Sequence, residues 1–446
     1  MANVLEWSRA YTGRLIAGDK TKRLELATHF QGRLNKEISS GVLPFLSMPY
    51  RARLEEDMKR ALPLAKKYRH MLLLGIGGSA LGLRAIQKAF APNQDLPNPS
   101  GPAVWVCDNV CAEQFDALLN SLDPKETVAV CISKSGGTIE TLSQYFLVKD
   151  WLAGALGNDW AKQMIVITDA QKGYLREEAK SLSLESLEVP DNLGGRYSAL
   201  SAVGLLPAAF LGIDWQALLN GAAKVAQPLV QDPHALAGHP SFALACWADA
   251  LMEHNYNQLI YFSYIPQWST YGPWFAQLWA ESLGKEGRGS MPVAATGVTD
   301  QHSVNQMFLD GPRDKGCLFV TSTKQAPGRT FGQNLPEKWS WLRGKAFGSL
   351  LEAEAIGTRM ALCKSAVPLV HIEMEDTGPA SAGAMMMLLE AATVFTGWLM
   401  GINPLDQPAV ELGKRLANAR LGASGYADEE KDLAEFFDVP RQDQTF

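Results

Sequence analysis

The chain alternates between short runs of consecutive apolar residues and stretches of helical periodicity. Runs that are apolar at every position are typical of strands in a parallel sheet that helices cover on both faces. Right-handed crossovers between such strands make a sheet doubly wound. In the first half, the predicted strands are 71–74, 104–107, 128–132 and 164–167, and the predicted helices are 80–90, 112–122 and 138–156.

The alternation starts again in the second half. The predicted strands there are 259–262, 291–295, 317–320 and 367–371, with a helix at 274–283. The predicted fold class is therefore α/β, with two doubly wound α/β/α sandwich domains and mainly parallel sheets. We predict a helical N-terminal segment, a first sandwich domain, a helical connection, a second sandwich domain, and a C-terminal helix and arm, at residues 1–68, 69–214, 215–255, 256–402 and 403–446.

The longest apolar stretch covers residues 383–402 and carries Glu390 near its centre. Its length alone is compatible with a membrane span. The central carboxylate, and the lack of any accompanying membrane signal in the sequence, favour a buried central helix of a large α/β protein instead. We therefore expect no association with a membrane.

Charge and cysteine usage narrow the function classes. The 446 residues carry a formal net charge of -6 and show no basic stripe, which argues against a nucleic-acid partner. The six cysteines form no CxxC pair, no residue spacing resembles a metal site, and no secretory signal opens the chain. We expect a cytoplasmic protein with reduced thiols that uses no metal or other cofactor.

Two turns stand out because each follows a predicted strand and precedes a predicted helix. The glycine turn, residues 75–79, reads Gly-Ile-Gly-Gly-Ser, and the hydroxyl turn, residues 133–138, reads Ser-Lys-Ser-Gly-Gly-Thr. Backbone N–H groups and the helix dipole favour an anion at such a position. Hydroxyl groups suit the terminal oxygens of a phosphomonoester. We expect one small phosphorylated ligand between the two turns, and the plainer interpretation is ordinary turn and N-cap chemistry.

The glycine turn also fits the G-x-G-x-x-A fingerprint of dinucleotide-binding proteins, with Asp108 as the candidate ribose-binding acid. A nucleotide-dependent dehydrogenase is therefore an alternative function. This alternative leaves the hydroxyl turn without a role.

Three further side chains are candidates for chemistry. Arg196 follows two glycines and could stabilise a developing oxyanion or bind a phosphate. Gln277 and Glu281 share one face of an otherwise apolar predicted helix. Poor solvation of a carboxylate there would suit a general base. The plain alternatives are a solvated arginine in a surface turn and an exposed glutamate paired with Lys285.

Two candidates lie farther along the chain. His302 has the most polar, turn-like surroundings of the seven histidines, although most isolated loop histidines are surface residues. Lys414 lies one helical turn after Glu411, in a helix that Pro408 opens, and a surface ion pair is the plain interpretation.

Taken together and in this order, these segments resemble the phosphoglucose isomerase family of the sugar-isomerase (SIS) domain superfamily, in its compact bacterial form. The most specific parts are residues 192–198, Asn-Leu-Gly-Gly-Arg-Tyr-Ser, and residues 406–414, Asp-Gln-Pro-Ala-Val-Glu-Leu-Gly-Lys. The resemblance covers about residues 70–415 and implies two SIS domains. It further implies an aldose–ketose isomerase of glycolysis and gluconeogenesis that interconverts glucose 6-phosphate and fructose 6-phosphate through ring opening and a cis-enediol(ate).

The resemblance also implies roles for individual residues. Glu281 corresponds to the family's catalytic base, with Gln277 beside the substrate, and Arg196 corresponds to the arginine that supports the enediolate. The residues that correspond to the family's sugar-phosphate site are Gly78, Ser79, Ser133, Lys134, Ser135 and Thr138.

For the remaining positions, His302 and Lys414 correspond to the residues assigned to opening the sugar ring, and Gln407 to the glutamine of the last motif. The family is dimeric, so the resemblance implies a homodimer in which each His302 completes the partner's site. Two alternatives stay open. One is a sensor module that binds sugar phosphates without turnover, and the other is an isomerase that also accepts mannose 6-phosphate.

Overall fold

Two five-stranded sheets organise the residues up to Pro404. The computed structural model describes residues 2–91, 96 and 100–444. These fall into two compact units, Met1–Pro404 and Leu405–Phe446. The strands are β1 (Val4–Glu6), β2 (His70–Leu74), β3 (Ala103–Cys107), β4 (Thr127–Ile132), β5 (Met164–Asp169), β6 (Glu185–Val189), β7 (Gln258–Ser263), β8 (Met291–Thr296), β9 (Lys315–Ser322) and β10 (Leu369–Met374).

Helices connect and cover these strands. In the first unit they are α1 (Ala17–Glu25), α2 (Ala27–Ser39), α3 (Pro44–Ser47), α4 (Ala52–Ala65), α5 (Leu81–Phe90), α6 (Ala112–Ser121), α7 (Ile139–Leu156), α8 (Tyr174–Ser181), α9 (Ala202–Phe210), α10 (Trp215–Gln231), α11 (Pro240–Glu253), α12 (Tyr271–Leu283), α13 (Asn305–Asp310), α14 (Phe347–Lys364) and α15 (Pro379–Leu399). The second unit contains α16 (Glu411–Arg420) and α17 (Ala427–Asp438).

The first sheet is entirely parallel, in the order β3-β2-β4-β5-β6. The second has the order β1-β10-β9-β7-β8 and is parallel except for β1, which runs antiparallel to β10. All six residues of β4 are buried, as a strand covered on both faces requires. The predicted fold class, α/β with mainly parallel sheets, is confirmed.

Seven of the eight predicted strands lie wholly within an observed strand, and the eighth begins two residues late, at Leu369. The structure corrects the prediction at two sheet edges. Val4–Glu6 lies in the segment predicted to be helical but pairs with β10, and three residues are too few to show a period. Glu185–Val189 contains only two apolar residues, Leu187 and Val189, so a search for continuous apolar runs does not find this edge strand.

Helix α15 is the apolar stretch noted in the sequence. It is long and apolar enough to cross a membrane, but 94% of its most apolar window is buried inside the protein. It packs against α10, α11 and α12, so it forms a central helix of the core. The interpretation as a buried helix therefore agrees with the structure.

The second unit consists of helices where the sequence predicts a helix and a polar arm. Arg415 of α16 forms an ion pair with Glu429 of α17. Asn418 donates a hydrogen bond to the hydroxyl of Tyr426 at 3.1 Å. The polar stretch beyond Arg420 therefore contains a helix of its own. The five-part domain division stays a prediction.

Candidate active site

The glycine turn directly follows β2, and its shape depends on two glycines. Gly77 has a φ of +57°, a conformation that side chains disfavour, and a Cβ atom there would lie 3.0 Å from Nε2 of Gln277. A Cβ atom on Gly78 would overlap the carbonyl group of Gly195 and lie 2.7 Å from the backbone nitrogen of Arg196. The turn is therefore held between α12 and the segment that carries Arg196.

The hydroxyl turn follows β4, the neighbour of β2 in the sheet. Oγ of Ser133 lies 2.9 Å from Oγ1 of Thr138 and 3.5 Å from Oγ of Ser135, and Thr138 is the N-cap residue of α7. Burial lowers the pKa of Lys134, against the opposing effects of Asp169 and Asp191. A bound phosphate would favour the charged form of this lysine.

The two turns lie at the carboxyl ends of adjacent parallel strands, because Leu74 of β2 pairs with Cys131 of β4. The chain order in the first sheet reverses between these strands: β3 lies on one side of β2, and β4, β5 and β6 lie on the other. Open α/β sheets bind ligands at the carboxyl ends of strands at such a reversal. The position expected for a small phosphorylated ligand thus coincides with the crevice that the topology creates.

Arg196 is buried, with 3% of its surface exposed, so it is not the solvated surface arginine that a turn could carry. Its Nε donates to Oγ of Ser282 at 2.7 Å, and its Nη2 donates to the carbonyl oxygen of Pro404 at 2.8 Å. Its Nη1 lies 3.3 Å from Oε2 of Glu281. A buried guanidinium held in this way is a fixed positive charge.

Glu281 lies on α12 between Arg196 and Gln277. Nε2 of Gln277 donates to Oε1 of Glu281 at 2.8 Å, so each carboxylate oxygen has a defined partner. The side chain is 31% exposed and therefore accessible to a substrate. Lys285, the partner expected for a surface glutamate, instead donates to the carbonyl oxygen of Asn403.

Two polar residues of this cluster, Ser282 and Tyr197, had no predicted role, although Tyr197 lies in the segment 192–198. Ser282 is fully buried and accepts the hydrogen bond from Arg196, and its Oγ lies 2.9 Å from the hydroxyl of Tyr197. Ser282 follows Glu281 directly, in a helix whose other inward residues are apolar. A hydroxyl among such residues is the signal that could have indicated a buried partner.

His302 ends a short turn after β8 and is exposed to solvent. Among the described residues, no hydrogen bond or ion pair joins it to Arg196 or Glu281. The preceding residue, Gln301, donates to Oε2 of Glu354 in α14 at 2.6 Å, which holds the turn in place. The role that the resemblance implies for His302 stays a prediction.

Gln407 and Lys414 lie in the second unit. Nζ of Lys414 forms an ion pair with Oε1 of Glu411 at 2.7 Å, and both side chains are 55% exposed. This is the surface pair that the spacing suggests. The roles that the resemblance implies for Gln407 and Lys414 stay predictions.

The dinucleotide alternative loses its ribose-binding acid. Both carboxylate oxygens of Asp108 accept hydrogen bonds from Arg84, with Nη2 at 2.7 Å from Oδ1. The backbone of Gly195 also lies against Gly78, so the glycine turn packs on its neighbouring loop.

A parallel α/β sheet with hydroxyl-bearing turns at its reversal, beside a carboxylate paired with a buried arginine, suits an enzyme that acts on a small phosphorylated ligand. Residues 63–333 match the model of the family described as phosphoglucose isomerase. The chain belongs to this family.

Curated relatives agree with this assignment. A glucose-6-phosphate isomerase from Rubrobacter xylanophilus is 36% identical over 394 residues, which are 86% of this chain and 90% of the relative. One from Thermus thermophilus is 38% identical over 363 residues, which are 78% of this chain and 83% of the relative.

Solved structures agree in fold. A hypothetical protein from Thermus thermophilus superposes with a TM-score of 0.81 and 33% identity over 94% of this chain and 100% of the other. A glucose-6-phosphate isomerase from Chlamydia trachomatis gives a TM-score of 0.70 at 22% identity, over 86% of this chain and 77% of the other.

Proposed function

We propose that this protein interconverts glucose 6-phosphate and fructose 6-phosphate, with Glu281 as the base and Arg196 as the electrophile. The observation that carries the proposal is the 3.3 Å contact between Glu281 and the buried Arg196. The paired groups lie next to the glycine turn, because Gly77 adjoins Gln277 and Gly78 adjoins Arg196. The reaction is inferred from family membership, and Glu281 and Arg196 are assigned to it because of this contact.

The chemistry needs one carboxylate and one cation. Glu281 removes the proton from carbon 2 of the open-chain aldose, and the electron pair forms the carbon 1–carbon 2 double bond while the carbonyl oxygen becomes an enediolate oxygen. The same carboxylic acid then returns a proton to carbon 1, and the oxygen on carbon 2 becomes the ketose carbonyl as its hydroxyl proton moves to the oxygen on carbon 1. Arg196 stabilises the enediolate, for which one preorganised donor supplies about 3 kcal/mol.

The glycine and hydroxyl turns hold the phosphate in this proposal. Ser79, Ser133, Ser135 and Thr138 supply hydroxyl groups, and Lys134 supplies a positive charge. Binding the phosphate away from the reacting carbons holds the sugar in position for proton transfer. We assign Gln277 and Gln407 to contacts with the sugar.

Ring opening needs a separate acid and base, because Glu281 must stay free to accept the proton from carbon 2. We propose His302 and Lys414 for this step, with His302 contributed by the partner of a homodimer. Val304 and Met307, two and five residues after His302, are 40% and 56% exposed. His302 is itself exposed, so a partner chain could reach it.

The proposed function is tested by supplying fructose 6-phosphate to the purified protein and following glucose 6-phosphate through a coupled dehydrogenase. Turnover supports the isomerase, and binding without turnover favours the sensor alternative. Mannose 6-phosphate, measured in parallel, tests whether the enzyme accepts a second aldose. We place the reaction in the cytoplasm, where sugar phosphates are metabolised.

A further inference from the structure

We propose that Ser282 and Tyr197 are positioning residues that fix the plane of the Arg196 guanidinium for enediolate stabilisation. The inference rests on the proposed function and deepens it. Its basis is a closed circuit of hydrogen bonds among Arg196, Ser282, Tyr197 and the carbonyl group of Pro404.

The direction of each bond in the circuit follows from the chemistry of its members. A guanidinium can only donate, so Oγ of Ser282 accepts from Nε of Arg196 at 2.7 Å. The hydroxyl hydrogen of Ser282 is then available to donate to the hydroxyl of Tyr197 at 2.9 Å. The hydroxyl of Tyr197 in turn donates to the carbonyl oxygen of Pro404 at 3.3 Å.

The circuit closes on the arginine, because the carbonyl oxygen of Pro404 also accepts from Nη2 of Arg196 at 2.8 Å. Nε and Nη2 lie on one edge of the guanidinium, and both are anchored. The anchored edge turns Nη1 toward Glu281, at 3.3 Å from its Oε2. The circuit therefore fixes the orientation of the guanidinium, and with it the direction from which the positive charge faces the reacting carbons.

Because the circuit is buried, each of its hydrogen bonds depends on the protein partner and cannot be replaced by one to water. Ser282 and Tyr197 are 0% and 1% exposed, so water cannot replace a lost partner without entering the core. The two residues are also sequence neighbours of the reacting groups: Ser282 follows Glu281, and Tyr197 follows Arg196. The hydrogen bond between Ser282 and Tyr197 thus connects the segment that carries Glu281 to the segment that carries Arg196.

The test uses Ser282→Ala and Tyr197→Phe in the full-length protein, with fructose 6-phosphate as substrate. We expect kcat to fall about 10- to 100-fold, less than for loss of the arginine itself, with KM changed by less than about threefold. Matched controls remove hydroxyls that are equally buried but have no hydrogen-bond partner among the described residues: Ser241→Ala and Tyr261→Phe. The controls should retain the wild-type kcat.

A double-mutant cycle with Arg196→Ala separates positioning from a general structural role. If Ser282 and Tyr197 act through Arg196, their substitution should change kcat by less than about twofold once the arginine is gone. A full additional loss in the Arg196→Ala background, or a loss confined to KM, would overturn the proposal. An inactive wild-type protein would instead reject the proposed function, so the two failures are distinguishable.

Discussion

Oε2 of Glu281 lies 3.3 Å from Nη1 of Arg196, while Oε1 of the same carboxylate accepts a hydrogen bond from Gln277 at 2.8 Å. The base and the electrophile of the proposed reaction are therefore in direct contact. The two contacts orient the carboxylate, and the 31% exposure of its side chain leaves it accessible. A substrate that enters next to this pair meets a base on one side and a fixed cation on the other.

Replacing Gly78 with alanine should strongly lower activity, because the added methyl group would clash with backbone atoms. The added methyl group would overlap the carbonyl group of Gly195 and lie 2.7 Å from the nitrogen of Arg196, and neither can move as a side chain can. We expect at least a 100-fold lower kcat/KM, because a misplacement of about 1 Å at a reacting group can cost this much. Gly357→Ala is the control, since its methyl group would meet no atom within 4 Å. Wild-type kinetics for Gly78→Ala would show that this close approach is not needed.

Replacing Thr138 with valine should weaken phosphate binding and leave the chemical step intact. The substitution keeps the shape of the side chain but removes the hydroxyl that lies 2.9 Å from Oγ of Ser133. A hydrogen bond to a charged group contributes about 1.5–3 kcal/mol, so KM should rise about tenfold or more while kcat stays near the wild-type value. The inhibition constant of inorganic phosphate should rise by a similar factor. Ser143→Ala, which removes an exposed hydroxyl from the same helix, serves as control. An unchanged inhibition constant for Thr138→Val would remove the hydroxyl from the phosphate site.

Glu390 should make the stability of the fold depend on pH. Burial raises its pKa well above the ordinary value of 4.5, and neither carboxylate oxygen has a hydrogen-bond partner in the described part of the chain. The folded protein keeps this proton while the unfolded chain releases it above pH 4.5, so stability falls as pH rises. Above pH 4.5, the free energy of unfolding falls by about 1.4 kcal/mol per pH unit until the pH reaches the pKa of Glu390 in the folded state.

The variant Glu390→Gln removes this titration. Denaturant unfolding should give nearly equal stability for the two proteins at about pH 4 and a more stable variant at about pH 8. A difference that does not grow with pH would mean that the folded protein holds Glu390 in its ionised form.

Mixing two inactive variants should restore activity if the site is shared between two chains. Glu281→Gln and His302→Ala each inactivate a homodimer, but a hybrid dimer combines one intact Glu281 with an intact His302 from its partner. Random exchange of subunits should recover about one quarter of the wild-type activity, since half of the dimers are hybrids with one intact site of two. No recovery after confirmed subunit exchange would place each His302 in the site of its own chain.

Much of the fold could be predicted from the sequence because the strands of parallel sheets are continuously apolar. The runs that became β2, β4 and β5 are buried on both faces and therefore show this pattern. The edge strands β1 and β6 could not be found in this way, because their stability comes from pairing with a neighbour and not from their own composition.

Part of the site could also be predicted, because the residues of each turn are adjacent in the sequence. The glycine and hydroxyl turns carry their chemistry in adjacent residues, and the structure places both at the sheet reversal. The contact between Arg196 and Glu281 joins residues 85 positions apart, and spacing alone cannot indicate it. Ser282 was passed over because its role depends on partners that only the folded chain brings together.

The most direct test of the account is the turnover of fructose 6-phosphate by Glu281→Gln, with binding of the same sugar phosphate measured by calorimetry. The amide keeps the shape of the side chain and the contact with Gln277 but cannot accept a proton from carbon 2. We expect kcat to fall about 1,000-fold or more while the dissociation constant stays within about threefold of the wild-type KM. A variant that turns over at the wild-type rate would contradict the assignment of Glu281 as the base.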